Sequence, residues 1–157
     1  MLCLMFHAGY NRYSLPVSDV VEVLPYMTLQ RWPEMPASVA GMFVYRGQAT
    51  AVIDLQHLAG QDSTAAQWNT RVLILRAGRS ATETGDGSAG EMIGLLVGRV
   101  STCEVADGED RTNQVDAAWG HYAQDEHGLI QRLDVDRLIA AAMPASVVVS
   151  GAVKDNP

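Results

Sequence analysis

Apolar residues along this chain come in short runs, and nearly every run is closed by glycine, proline or a small polar cluster. Residues 2–8 (LCLMFHA) and 13–17 (YSLPV) flank the turn-like Gly9-Tyr10-Asn11-Arg12, so the chain is expected to open on a hairpin. The β-branched stretch 19–24 (DVVEVL), bounded by Pro25, predicts a third strand. Pro33 and Pro36, beside Trp32, remove amide donors and fix φ, which predicts a surface loop with one helical turn near Ala37–Val39. In GMFVYRGQATAVIDL (41–55) two apolar runs, Met42–Tyr45 and Ala49–Leu55, are separated by Arg46-Gly47-Gln48, a second hairpin with Gly47 where positive φ is needed. Leu55–Leu58, after Asp54, is expected to form one helical turn ended near Gly60, followed by a polar loop over 59–70.

The continuous apolar run RVLIL (71–75) predicts a strand buried on both faces. Residues 77–90 hold small and acidic residues without an apolar anchor and are expected to be a flexible hairpin excursion. Strands are predicted at 92–100 and 102–106, with Gly94 and Gly98 as bulge or bend positions, then a surface loop over 107–116. Trp119–Tyr122 is expected to be a short edge strand, Asp125–Gly128 a turn, and Leu129–Leu133 its partner. Asp134 is the expected N-cap of one helix, VDRLIAAAM, which places Leu138, Ile139 and Ala142 on one face and stops at Pro144. Many short strands, glycine at the corners and a single late helix predict a mainly β chain of small barrels, without a βαβ rhythm. The parts before and after about residue 65 each carry several short strands, so two subdomains, 15–65 and 66–150, are expected within one domain over 1–157, with the terminal segments crossing between them.

At 157 residues and 48% hydrophobic content the chain is the size of one domain with a real core. The formal charge of −7, from 18 acidic against 11 basic residues, argues against nucleic acid, because phosphate neutralisation needs a clustered positive face. Lys154 is the single lysine, and the arginines are scattered from Arg12 to Arg137. Met1–Phe6 is too short for a signal peptide, and no apolar run approaches the roughly 20 residues that span a bilayer. A cytoplasmic location without membrane insertion is expected. Cys3 and Cys103, far apart and each in an apolar segment, are read as two small buried hydrophobes.

Catalytic patterns are missing. His7, His57, His121 and His127 show no metal-ligand spacing, and Glu109-Asp110 and Asp125-Glu126 lack the alternating oxygens of a calcium loop. Neither GxSxG nor GxxxxGK[ST] occurs, and Cys103 has no basic neighbour in sequence to hold a thiolate. No catalytic residue, metal or cofactor is therefore expected. A hydrolase would require a pocket gathering His57, Asp54 and Ser63.

The segment 41–55 resembles the signature G-x-x-x-x-R-G-x-x-x-P-V-I-D-L of the CheW-like family of chemotaxis coupling proteins. FHAGYNRYSLPVSDVVEVL (6–24) is similar to the family's opening F-x-x-G-x-x-x-Y-x-x-P-V-x-x-V-x-E-V, and RVLIL (71–75) to its R-V-I-V-L strand. GLLVGRV (94–100) resembles G-L-x-V-D-x-V, and HGLIQRLDVDRLI (127–139) the closing G-x-x-x-x-L-D-x-x-x-L-L. Nearly the whole chain is covered in order. Gly98 stands where the family has aspartate, and Thr50-Ala51 replaces the proline before V-I-D-L, so roles tied to those side chains do not transfer. These departures and the acidic 77–90 excursion fit a specialised signalling array.

The resemblance implies two SH3-like five-stranded β-barrels sharing a core. It further implies a non-catalytic scaffold that joins chemoreceptor cytoplasmic tips to the regulatory domain of a CheA-type histidine kinase. By position, Val20 and Glu22 match receptor-contact positions of the first subdomain, and Gly41 and Arg46 match positions linked to receptor coupling. For Arg46 a salt bridge with Asp54 that pins the hairpin is an equal and compatible reading. Asp54 is expected to be structural, capping the turn that follows it. Val20 and Glu22, two residues apart on a strand, are expected to share a face, and Tyr26 and Trp32 to act as lids or anchors beside it. The rival reading is a small β-barrel that binds a peptide or ligand and has no link to a kinase.

Overall fold

The computed structural model describes residues 1–78, 91–105 and 115–143, without side chains for 115–117. The expectations for most of the 77–90 excursion, for 107–114 and for Pro144 lie outside these residues. The fold is mainly β, with one short helix near the C-terminus. In chain order the elements are β1 (Leu2–Ala8), β2 (Asn11–Pro16), β3 (Val20–Pro25), β4 (Val39–Tyr45), β5 (Gln48–Asp54), the one-turn α1 (Leu55–Leu58) and β6 (Thr70–Arg76). They continue with β7 (Met92–Glu104), β8 (Val115–Ala117), β9 (Gly120–Asp125), β10 (Gly128–Leu133) and α2 (Val135–Ala142).

The first hairpin is tighter than the four-residue turn expected for it. Asn11 and Arg12 pair with Ala8 and His7, so only Gly9 and Tyr10 turn, with Gly9 at φ 60. The expected helical turn at Ala37–Val39 is instead a non-helical turn closed by the Val39 amide donating to the Pro36 carbonyl, 3.0 Å. Residues 115–116, expected in a loop, belong to β8, because Val115 and Asp116 find partners in Tyr122 and His121.

Strand β7 organises the sheet. It runs unbroken for 13 residues where two strands were expected. At Gly94 it pairs with Ile74 of β6 on one edge and Val52 of β5 on the other; at Gly98 it still pairs with β6, through Thr70, but its other edge has passed to His7 of β1. The handover needs an extra residue. Met5 faces Ser101 while His7 faces Gly98, and Arg99 in the gap takes φ 53. The bend therefore falls on Arg99, beside Gly98 and away from Gly94. Gly94 serves packing, because a Cβ there would lie 2.8 Å from Val52 Cγ2.

From β7 the sheet continues in two directions. One way lie β6 and β3, with β5 and β4 on the opposite edge; the other way lie β1, β2, β10, β9 and β8. Strand β6 and the first half of β7 thus pair with strands that precede residue 65. Strand alternation sorts the apolar side chains. Leu73 and Leu75 of β6 join Leu4, Phe6, Leu15, Leu95 and Leu138 in the main core, while Val72 and Ile74 join Tyr45, Val52 and Leu96 in a second cluster. The both-face burial expected for 71–75 follows, since these four β6 residues are at most 1% exposed. Helix α2 closes the main core with Val135, Leu138 and Ala142, its first turn capped by Asp134 accepting from the Arg137 amide at 3.0 Å.

Candidate functional site

The β4–β5 hairpin turns on two residues, Arg46 at φ 47 and Gly47 at φ 79, with Tyr45 paired to Gln48. Two consecutive positive φ values make the primed turn whose twist matches antiparallel strands. Glycine adopts this backbone freely, and arginine at a cost of about 1 kcal/mol. This places the Arg46 side chain outside the sheet, two-thirds exposed.

Arg46 does not reach Asp54. Its guanidinium lies 3.4 Å from Glu22 Oε2 and 5.1 Å from the centroid of the Tyr45 ring, and the Tyr45 hydroxyl donates to the same Glu22 oxygen at 2.5 Å. One carboxylate therefore gathers a phenol and a cation from the neighbouring hairpin. The hydrogen bond to Glu22 is the main cause that raises the Tyr45 pKa above its ordinary value, since the phenolate would lose it; desolvation adds to the shift. Sequence pattern missed Tyr45, although it directly precedes Arg46 and ends an apolar run at the sheet edge.

Asp54 is committed elsewhere. It is 3% exposed and accepts from the His57 amide at 3.3 Å, the Thr64 amide at 2.8 Å and the Thr64 hydroxyl at 2.7 Å, so one carboxylate both caps α1 and anchors the loop behind it. The expected Arg46–Asp54 bridge fails because β5 carries Asp54 to the far end of the hairpin from Arg46. Ser63 Oγ approaches His57 Nδ1 at 3.5 Å, but the Asp54 carboxylate is held by amides and a hydroxyl, which is not the wiring of a hydrolytic triad.

Val20 and Glu22 do not share a face. Val20 pairs with Leu75 and Glu22 with Ile74, so a bulge at Val21 shifts the alternation by one. Val20 packs against the main core with Leu75, while Glu22 lies on the side of Ile74 and the second cluster. Gly41 is buried, and a Cβ there would sit 2.7 Å from Leu29 Cβ. Its bare backbone lets residues 29–30 cross β4, where Gln30 and Met42 exchange amide–carbonyl bonds of 2.9 and 2.7 Å. The surface therefore unites Glu22 and Arg46 over the buried Tyr45, with Val20 and Gly41 beneath or beside it. Tyr26 and Trp32 on the following loop are both exposed.

Among the described residues no group of histidine, cysteine or acidic side chains is arranged to hold a metal ion, and no helix is long and apolar enough to cross a membrane.

Comparison with known proteins agrees with this architecture. The crystal structure of the scaffolding protein TtCheW from Thermoanaerobacter tengcongensis superposes with a TM-score of 0.69 at 19% identity, covering 88% of this chain and 86% of that one. The chemotaxis protein CheW of Helicobacter pylori is 30% identical over 71 residues, a match spanning 45% of this chain and 43% of the relative's length. The CheW-like domain matches residues 2–143, and the chain thus belongs to the CheW-like family of chemotaxis adaptors.

Proposed function

We propose that this chain is a non-catalytic scaffold that couples chemoreceptor cytoplasmic tips to the regulatory domain of a CheA-type histidine kinase. The observation that carries the proposal is the exposed Glu22–Arg46 ion pair, seated on the buried Tyr45 at the hairpin turn in a chain of this family. Such a pair offers a carboxylate and a cation whose partners can be exchanged on docking at little cost, because an exposed ion pair is worth under about 1 kcal/mol. A partner's acidic group would take the Arg46 fork; a partner's donor would take Glu22.

Val20 and Gly41 support the surface from below. Gly41 acts through the placement of residues 29–30, and Val20 through the seat of β3 on the core. Gly47 sets the turn and Asp54 holds the α1 end of β5. Tethering kinase and receptor in one assembly raises their effective concentration, and interface geometry biases the kinase between its conformations. The assembly is expected in the cytoplasm, at membrane receptors, through protein contacts alone.

The test is capture of a receptor cytoplasmic tip and of a kinase regulatory domain by the purified chain, with Glu22→Gln and Arg46→Ala compared against wild type. Loss of receptor capture by folded variants supports the assignment. A folded wild-type chain that captures neither partner refutes it.

A further inference from the structure

Two cysteines that stand a hundred positions apart in sequence face each other in the sheet. Cys3 of β1 is the register partner of Cys103 of β7, and neither is in a disulfide in this structure. The ladder fixes which kind of pair they form. Met1 donates to the Val105 carbonyl at 2.7 Å and Val105 donates back to Met1 at 2.8 Å, so Met1–Val105 is a hydrogen-bonded pair. Antiparallel pairs alternate, which makes Leu2–Glu104 the open kind and Cys3–Cys103 hydrogen-bonded again. Such a pair has its Cα atoms about 5.5 Å apart, within the span of a disulfide. Its Cβ atoms stand near 5.5 Å, whereas a disulfide wants about 3.8 Å, so bonding draws the strands together and leaves a bond that is easily reduced.

We propose that Cys3 and Cys103 are an oxidative modification site, a reversible thiol–disulfide couple that reacts with hydroperoxides. Cys103 is the partly exposed member and takes the first step; Cys3, 2% exposed, resolves it. The Cys103 thiolate attacks one peroxide oxygen, the O–O bond breaks, and the departing hydroxide takes a proton to leave as water, giving a sulfenic acid. The Cys3 sulfur, losing its proton, then attacks the sulfenic sulfur; the S–S bond forms and the S–O bond breaks, releasing a second water. Two thiols and one hydrogen peroxide thus give one disulfide and two waters, with sulfur oxidised and peroxide oxygen reduced. Alternation puts both cysteines on the face of β1 opposite Leu4 and Phe6, so closure does not disturb the main core. The bond would lock β1 to β7 just beyond the Arg99 bulge.

The test exposes the intact purified chain to hydrogen peroxide, then alkylates it in denaturant and weighs it. The expected product is a monomer lighter by two hydrogens, resistant to alkylation, regained by reductant, and formed at least about tenfold faster than in the urea-unfolded chain. Cys3→Ser should leave a sulfenic acid on Cys103 that dimedone traps. Two alkylatable thiols surviving in the folded wild type, or disulfides only between chains, would overturn the proposal. Dimedone trapping at Cys3 in Cys103→Ser without trapping at Cys103 in Cys3→Ser would overturn the order of steps.

Discussion

The Tyr45 hydroxyl donates to the Glu22 carboxylate across two strands, β4 and β3, that share no backbone ladder among the described residues. A side-chain bond thus closes the side of the sheet where main-chain pairing stops. Because that bond raises the Tyr45 pKa, its stabilisation is complete below the ordinary tyrosine range near pH 10 and is lost as pH rises through the raised value. An ultraviolet titration should show Tyr45 ionising late together with Tyr13, which burial raises, and Glu22→Gln should return Tyr45 alone toward the others. Equal late ionisation in Glu22→Gln would show that the carboxylate is not the cause.

Arg46 separates cleanly into backbone and side-chain roles. Asparagine tolerates the left-handed region better, so Arg46→Asn should leave the melting temperature unchanged or raise stability by about 0.5 kcal/mol. Receptor capture should still fall. If Arg46→Asn melts well below wild type, the Glu22 contact matters more to the fold than an exposed pair should.

Arg12 holds Asp125 with two bonds, 2.8 and 2.5 Å, tying the first hairpin to the β9–β10 hairpin. This pairing depresses the Asp125 pKa from 3.8 to about 2. The pair therefore stabilises the fold fully above about pH 4 and progressively less as pH falls toward 2. Asp125→Asn should cost about 1 kcal/mol at neutral pH, after allowance for a partly exposed carboxylate, and little once the pH falls below about 2. Urea midpoints of the two proteins across that range should converge.

Burial, then the charges of Arg99 and Arg12, lower the His7 pKa. In an NMR titration His7 should have a midpoint below the ordinary value of 6.5. Because the unfolded chain takes the proton first, this residue contributes fully above that value and destabilises the fold as pH drops beneath it. Arg99→Ala should move the midpoint upward.

Gly94→Ala should destabilise the protein by about 1–3 kcal/mol, since its Cβ would press on Val52 at a parallel junction of β5 and β7. Val52→Ala in the same chain should recover part of the loss, measured as a double-mutant cycle. Strict additivity would place the strain elsewhere.

What was legible in the sequence follows from how local each cause is. The alternation of β6, the Asp134 cap and the glycine turns depend on neighbouring residues, and they were visible. The register of β1 on β7 was not, because it is set by which faces bury apolar groups across the whole sheet; two cysteines that looked unrelated are therefore cross-strand neighbours. The bulge at Val21 likewise overturned the shared face of Val20 and Glu22, since a single inserted residue leaves no mark in a run of β-branched side chains. Arg46 was found by motif and then assigned a partner, Asp54, that is near in sequence yet at the wrong end of the hairpin.

Because β7 belongs to both directions of the sheet, neither set of strands can melt while the other keeps its full ladder. The described fold should unfold in one cooperative step, and a gene cut on either side of β7 would hand one fragment an edge with nothing to pair. A signal that loosens one side of such a molecule is felt on the other through a single length of backbone.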